Sequence, residues 1–298
     1  MPQMGIDDMK NSFHLNTKLL GLIGYPIKQT FSPLMHNVAA ELLGLDYMYL
    51  PFSVHHSDLK ESILGMKSLG FRGFNVTIPH KESVVQYLSS VSEEASIIGA
   101  VNCVVIEDGN LVGYNTDALG IYETLNPYLG DIQGKEVTVF GAGGAARAAI
   151  FTLIRHFKPS RIHLINRTTQ RAESLMNYFS TNMRFSEIKV HDLFPPEIAQ
   201  VVAGSGLVIN TTSLGMNPEP EDTPFDQPDS FRKGQIVFDM VYNPAKTKFL
   251  SSAVSEGATG IDGINMLVAQ GAKAFELWTG EKMPVQEIYD TIQKYLNP

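Results

Sequence analysis

The sequence predicts an α/β fold divided between two domains, and three observations carry that reading. Short apolar strands alternate with helix-patterned segments along most of the 298 residues. A glycine-rich turn, Gly141-Ala142-Gly143-Gly144-Ala145-Ala146, follows an apolar strand near the middle of the chain and opens a helix. The first third carries an Asp-Gly hairpin signal that an all-parallel sheet would not contain. The expected layout is an N-terminal mixed-sheet α/β substrate domain over residues 18–117, then a Rossmann-like dinucleotide-binding domain over 118–261. The C-terminal helices, 262–298, are expected to return to the first domain.

Leu19, Leu20, Leu22 and Ile23 form a short buried strand. Ser32 is the expected cap of the next helix, with Pro33 at its first position, and Leu34, Met35, Val38 and Leu42 give it one apolar face. Residues 47–54 read as a second strand. Leu59, Ile63, Met66 and Leu69 fall at helical spacing. Residues 73–77 make a third strand, closed by Pro79. Residues 101–106 and 111–114 flank Asp108-Gly109, a pair suited to a two-residue turn; they make the first sheet mixed, and small. Beyond the glycine-rich turn, residues 161–165, 188–190, 207–210 and 236–240 are apolar runs, as strands covered on both faces are. Residues 217–229 hold Pro218, Pro220, Pro224 and Pro228 among several carboxylates and read as a surface loop. From Asp262 onward Met266, Leu267, Gln270, Ala274 and Leu277, then residues 285–295, are helix-patterned.

Composition narrows the function. Lys and Arg number 23 against 31 Asp and Glu, a net charge of −8, so nothing draws the chain to nucleic acid or an anionic membrane, and any anion site is local. One cysteine, Cys103, allows neither an internal disulfide nor a cysteine-cluster metal site; it reads as a buried strand residue, and no metal is expected. No apolar run approaches the ~18 residues that span a membrane. Residues 1–17 do not read as a signal peptide and are expected to be a disordered tail, so the expected location is the cytoplasm.

The glycine-rich turn has a physical reading. Gly141 turns the chain sharply, Gly143 lets a pyrophosphate reach the backbone, and Ala146 permits close helix–strand packing. The helix behind it offers unpaired N–H groups and the positive end of its dipole. The next strand ends at Asn166-Arg167-Thr168, with Arg171 further on. An NAD site usually places a carboxylate there for the ribose hydroxyl, whereas guanidinium groups suit a 2′-phosphate. The residues therefore favour NADP.

Polar clusters end the apolar strands of the first domain: Asn75 to Lys81, Asn102, and Asn115-Thr116-Asp117. Asn, Thr and Ser suit a small polyol substrate. Hydride transfer to a ketone also needs a proton for the developing alkoxide. Lys81 is one candidate donor, with Asp117 holding its ammonium; His80 is a rival by its ordinary pKa. Taken singly, Lys81 reads more readily as a solvated lysine at a helix start, and Asp117 equally as a helix cap.

Several stretches in combination resemble the shikimate dehydrogenase family over residues 19–298. They are Gly24-Tyr25-Pro26-Ile27, Ser32-Pro33, residues 75–81, Gly99-Ala100-Val101-Asn102, Asn115-Thr116-Asp117 and Gly141-Ala142-Gly143-Gly144-Ala145. Asn166-Arg167-Thr168, Asn210-Thr211-Thr212-Ser213 and residues 266–270 also match. The resemblance implies interconversion of 3-dehydroshikimate and shikimate with NADPH, in the route to chorismate and the aromatic amino acids. It implies that Lys81 and Asp117 are the catalytic pair. Substrate would be held by Thr30, Ser32, Asn75, Thr77, Asn102, Tyr242 and Gln270. The cofactor would be held by Gly141, Ala142, Gly143, Gly144, Ala145, Asn166, Arg167, Thr168, Arg171, Thr211, Met240 and Gly263. The family usually has serine where this chain has Thr30. That methyl group alters the expected carboxylate pocket, so a quinate or dual quinate/shikimate dehydrogenase is the second reading. A ligand-sensing homologue without activity is the third, and retention of Lys81 and Asp117 counts against it. The partner expected is the small-molecule substrate, and the enzyme is expected to be a monomer or homodimer.

Overall fold

The protein is described here by a computed structural model covering residues 16–27, 30–192, 198–227 and 229–296. Residues 1–15 of the expected tail lie outside the described residues; Thr17 donates its hydroxyl to Asp46 Oδ1 at 2.7 Å.

The first sheet forms from β1 (Lys18–Gly24), β2 (Tyr47–Ser53), β3 (Gly73–Val76), β4 (Ser90–Val91), β5 (Cys103–Glu107) and β6 (Asn110–Tyr114). Their spatial order is β2-β1-β3-β5-β6-β4. β1 runs parallel to β2 and β3, and β5 is antiparallel to β3 and β6. The sheet is mixed, as expected, but six-stranded rather than small. The β5–β6 turn has the expected two residues, and both Asp108 (φ 50°) and Gly109 (φ 74°) are left-handed, the pattern that follows strand twist. Helices α1 (Ser32–Leu42), α2 (Leu59–Ser68) and α3 (Glu93–Ile98) alternate with these strands.

Two sequence expectations need correction. Ser32 does not cap α1: it is the first helical residue, Phe31 holds the cap position with no side-chain cap bond, and the Ser32 N–H donates to Thr30 Oγ1 at 3.2 Å. The buried stripe of α1 is Met35, His36, Ala39 and Ala40, while Leu42, its last residue, is exposed; Met35 lies against Gly271, where a Cβ would strike the Met35 methyl carbon. Leu69 likewise lies past the end of α2 and is exposed.

α4 (Asp117–Leu125) and α5 (Leu129–Ile132) lead into the second sheet: β7 (Glu136–Phe140), β8 (Arg161–Ile165), β9 (Ile188–His191), β10 (Leu207–Asn210), β11 (Ile236–Asp239) and β12 (Thr259–Ile261). It is wholly parallel, ordered β12-β11-β10-β7-β8-β9, so strand order reverses between β7 and β10. α6 (Gly144–Thr152), α7 (Thr169–Met183), α8 (Ile198–Gly204) and α9 (Lys248–Ser255) cover its two faces. This is the doubly wound arrangement in which ligands sit at the reversal point, outside the carboxyl ends of the strands. Val137, Val139, Phe140 and all of β10 are buried, as continuous apolar runs require.

α10 (Ile264–Thr279) and α11 (Val285–Leu296) return to the first sheet. Trp278, fully buried, donates its indole N–H to the Val104 carbonyl of β5 at 2.9 Å, and Tyr47 donates to the Trp278 carbonyl at 3.3 Å. α10 also crosses α4 closely at Gly120, where a Cβ would stand 2.7 Å from the Met266 carbonyl oxygen. The two passages of chain between the sheets are thus pressed against each other. Among the described residues no helix is long and apolar enough to cross a membrane.

Candidate active site

The polar strand ends of the first sheet converge on one cluster. Lys81 Nζ lies 2.5 Å from Asp117 Oδ2, and both side chains are largely buried. Asp117 opens α4, so its position is fixed by a helix start rather than a mobile loop. Asn102 Nδ2 donates to Asp117 Oδ1 at 2.8 Å and to Thr116 Oγ1 at 2.9 Å, and Gln270 Oε1 of α10 lies 3.3 Å away. Asn102 is locked in turn: its Oδ1 accepts from the Thr116 N–H at 2.6 Å, and its backbone carbonyl accepts from Asn75 Nδ2 at 3.0 Å. A carboxylate oriented by an amide, and holding an ammonium in a nearly dry site, is an arrangement that can deliver a proton in a set direction.

His80 takes no part in this cluster. It is buried, and its Nε2 meets the Val54 carbonyl at 2.7 Å, so the ring serves the core. Of the two candidate donors only Lys81 faces Asp117.

Beyond this cluster Thr30 Oγ1 donates to Ser32 Oγ at 3.2 Å. Burial pushes the Tyr242 phenol up, which keeps it a neutral donor. Tyr49, which the sequence reading did not single out, belongs to the cluster. Its hydroxyl donates to Asn75 Oδ1 at 2.8 Å, and burial raises its pKa well above the usual value. The signal for it was a polar-tipped aromatic in a buried strand position, where the hydroxyl must find a partner. Thr77 is half-buried at the end of β3; its N–H donates to the Ile23 carbonyl at 2.9 Å. Cys103 is buried, its thiol pushed up by burial and by the Asp117 charge.

Facing this cluster is the glycine-rich turn. Gly141 has φ +108°, and a Cβ there would stand 2.5 Å from Thr211 Oγ1, itself donating to the Phe140 carbonyl at 2.6 Å. Above Gly143 nothing among the described residues lies within 4 Å of a would-be Cβ. α6 begins at Gly144 with no side-chain cap and no acidic residue in its first turn. The open backbone and uncapped N–H groups of residues 144–146 fit a pyrophosphate. A Cβ on Gly144 would strike the Lys81 stem at 2.8 Å, so turn and lysine are in contact. Met240 follows β11, whose end is tied by Asn210 Nδ2 donating to Asp239 Oδ1 at 2.9 Å; burial pushes Asp239 up to about 6. Gly263 packs so tightly on the Met240 carbonyl that no side chain fits. Arg167 and Arg171 are exposed at the start of α7, while Asn166 Nδ2 donates to the Thr168 carbonyl at 2.8 Å and shapes that turn.

Comparison with known proteins agrees over nearly the whole chain. Residues 22–104 match the family model of the shikimate dehydrogenase substrate binding domain, 123–213 that of shikimate / quinate 5-dehydrogenase, and 263–293 that of the shikimate 5'-dehydrogenase C-terminal domain. Shikimate dehydrogenase (NADP(+)) of Methanobrevibacter smithii is 42% identical over 282 residues, 95% of this chain and 98% of its own. A crystal structure of shikimate dehydrogenase in complex with NADP+ is similar at a TM-score of 0.86 and 38% identity, covering 95% of this chain and 97% of that one. That of Listeria monocytogenes shikimate 5-dehydrogenase in complex with shikimate and NAD gives 0.83 and 37%, covering 95% and 98%.

Proposed function

Since the chain belongs to the shikimate dehydrogenase family, we propose that it reduces 3-dehydroshikimate reversibly to shikimate with NADPH, Lys81 protonating the developing alkoxide. The observation that carries this reading is the Lys81–Asp117 pair, 2.5 Å apart and seated against the glycine-rich turn. A bound nicotinamide supplies or accepts the hydride. The Lys81 ammonium holds its proton toward the substrate oxygen. Asp117 keeps that ammonium in place and offers its other edge to a hydroxyl, and Asn102 fixes the carboxylate plane. Ser32, Thr30 and Tyr242 offer hydroxyl donors to the substrate carboxylate; Asn75, Thr77 and Gln270 suit its ring hydroxyls. Gly141 to Ala145 with Thr211 would hold the pyrophosphate, Met240 and Gly263 would wall the nicotinamide side, and Asn166, Arg167, Thr168 and Arg171 would surround the adenosine 2′-phosphate. Two exposed guanidinium groups and no carboxylate at Asn166 support NADP over NAD.

Quinate is the second substrate to weigh, because the family model over residues 123–213 covers shikimate and quinate enzymes alike. Steady-state kinetics on shikimate and on quinate, each with NADP and NAD, decide between them. The reading expects the highest kcat/KM for shikimate with NADP. Quinate oxidised at least as efficiently would transfer the proposal to the quinate activity, and no turnover of either would end it.

A further inference from the structure

Glu82 follows Lys81 and faces the other domain. Its Oε2 accepts from Nε of Arg147, on α6, at 2.9 Å, and its Oε1 lies 3.7 Å from the Arg171 guanidinium on α7. Arg147 is gripped elsewhere too. Its guanidinium lies over the Tyr178 ring, 4.7 Å from the centroid, and Nη1 donates to the Ile98 carbonyl at 3.4 Å. The Tyr178 hydroxyl crosses the same junction to donate to the Ser96 carbonyl at 2.9 Å. The joint is tight: a Cβ on Gly99, which has φ +71°, would stand 2.8 Å from the Tyr178 hydroxyl oxygen and 2.9 Å from Arg147 Nη1. The Arg147 side chain is only 16% exposed, so its ion pair is screened less than a surface pair.

Lys81 and Glu82 therefore touch α6 at two points. The Lys81 stem lies on Gly144, and the Glu82 carboxylate on Arg147, three residues along and on the same helix face. A lysine side chain alone has many rotamers; a second anchor on the next residue fixes its backbone against the helix whose first turn receives the dinucleotide. We propose that Glu82 is a positioning residue, whose ion pair with Arg147 sets Lys81 at the distance from the glycine-rich turn that proton delivery requires. The proposal rests on the reading of Lys81 as proton donor.

Glu82→Gln keeps the shape and removes the charge. A slack of about 1 Å at a reacting group costs on the order of 10²-fold, so kcat for shikimate oxidation should fall roughly 10- to 100-fold. KM for shikimate should stay within about threefold, because substrate binding is assigned to other residues; the Kd of NADPH, followed by its fluorescence, should not weaken, because loss of the Glu82 charge leaves Arg171 free for the 2′-phosphate. Glu82→Asp, which keeps the charge, should recover part of the loss. Arg147→Met should reproduce it, and the double variant should fall no further than the worse single one, since both remove one contact. Thermal unfolding of each variant corrects kcat for its folded fraction. Glu82→Gln with kcat within about twofold of wild type overturns the proposal, as does a double variant whose loss multiplies the two single losses. Lys81→Ala measured alongside separates the two readings. If it retains the rate, the assignment of Lys81 has failed and the positioning role with it. If it loses the rate while Glu82→Gln does not, the positioning role alone has failed.

Discussion

His36 stacks on the Tyr49 ring with centroids 4.4 Å apart, wholly buried, and neither ring nitrogen has a hydrogen-bond partner among the described residues. Burial holds its pKa down to about 3, from the usual 6.5. Below pH ~6.5 the unfolded chain takes a proton that the folded one refuses, so this contribution to stability is complete above that pH and is lost as pH falls toward 3. The whole effect is at most roughly 5 kcal/mol. His36→Phe, which keeps the stacking, should flatten the fall in urea stability between pH 6.5 and 4; an unchanged slope would assign acid sensitivity to other groups. Lys81→Ala should lower kcat by ~10²–10⁴ and leave shikimate KM within a few-fold, because a proton donor acts as charge develops on oxygen. The reverse pattern, a large KM change at constant kcat, would make Lys81 a binding residue. Thr30 has its hydroxyl bonded to the Ser32 hydroxyl and to the Ser32 N–H, which fixes its methyl as well. Quinate is bulkier than shikimate at C1, so Thr30→Ser should raise quinate kcat/KM relative to shikimate by up to ~10-fold, one methyl's worth; no change in the ratio would show that the methyl faces protein. Lys81, Asp117 and Asn102 were legible in sequence because each ends an apolar strand or opens a helix. Tyr49 and the Glu82–Arg147 pair were not. The pair spans 65 positions, and no periodicity links residues so far apart.

Under the proposed function, cofactor choice is expected to lie in the β8–α7 turn. Arg171 already lies 3.7 Å from Glu82, whereas Arg167 makes no ion pair among the described residues, so Arg167 is the freer of the two to meet a phosphate. A charge-assisted phosphate contact contributes about 1.5–3 kcal/mol. Arg167→Ala should therefore raise KM for NADP by roughly one to two decades and barely change that for NAD. Equal losses for both cofactors would remove the 2′-phosphate from the argument. The parallel strands were readable because strands covered on both faces must be apolar throughout, and the β5–β6 hairpin because Asp-Gly accepts two left-handed residues. β4 has two residues and β12 three, Thr-Gly-Ile, too short for any alternation to register. The cap of α1 was misread because a serine directly before a proline matches the preferred cap pattern, whereas the backbone starts the helix at Ser32 itself and leaves Phe31 at the cap.

At the scale of the molecule, the glycine-rich turn belongs to one sheet and the Lys81–Asp117 cluster to the other, so under the proposed function substrate and dinucleotide would meet where the two approach. Closure about the chain passages at Asp117 and Asp262 is the expected way to align them and exclude water. Structures of apo, binary and ternary forms should differ in cleft width, and equal widths in all three would remove the idea. The α4–α10 crossing at Gly120 couples those passages, so Gly120→Val should disturb both domains at once, lowering the melting temperature in a single transition; two separated transitions would show that the crossing does not join them. The same return of α10 has an optical and a temporal consequence. Trp278 is the only tryptophan in the chain, and it closes the first sheet from a helix that follows the entire second sheet in sequence. During synthesis that face of the first sheet stays uncovered until the ribosome has released α10. Indole emission is thus silent on the dinucleotide half and reports one event, the docking of the late helix onto the early sheet, while ellipticity reports both halves. A refolding experiment that records the two signals together can therefore time the completion of the substrate half separately, with no label attached.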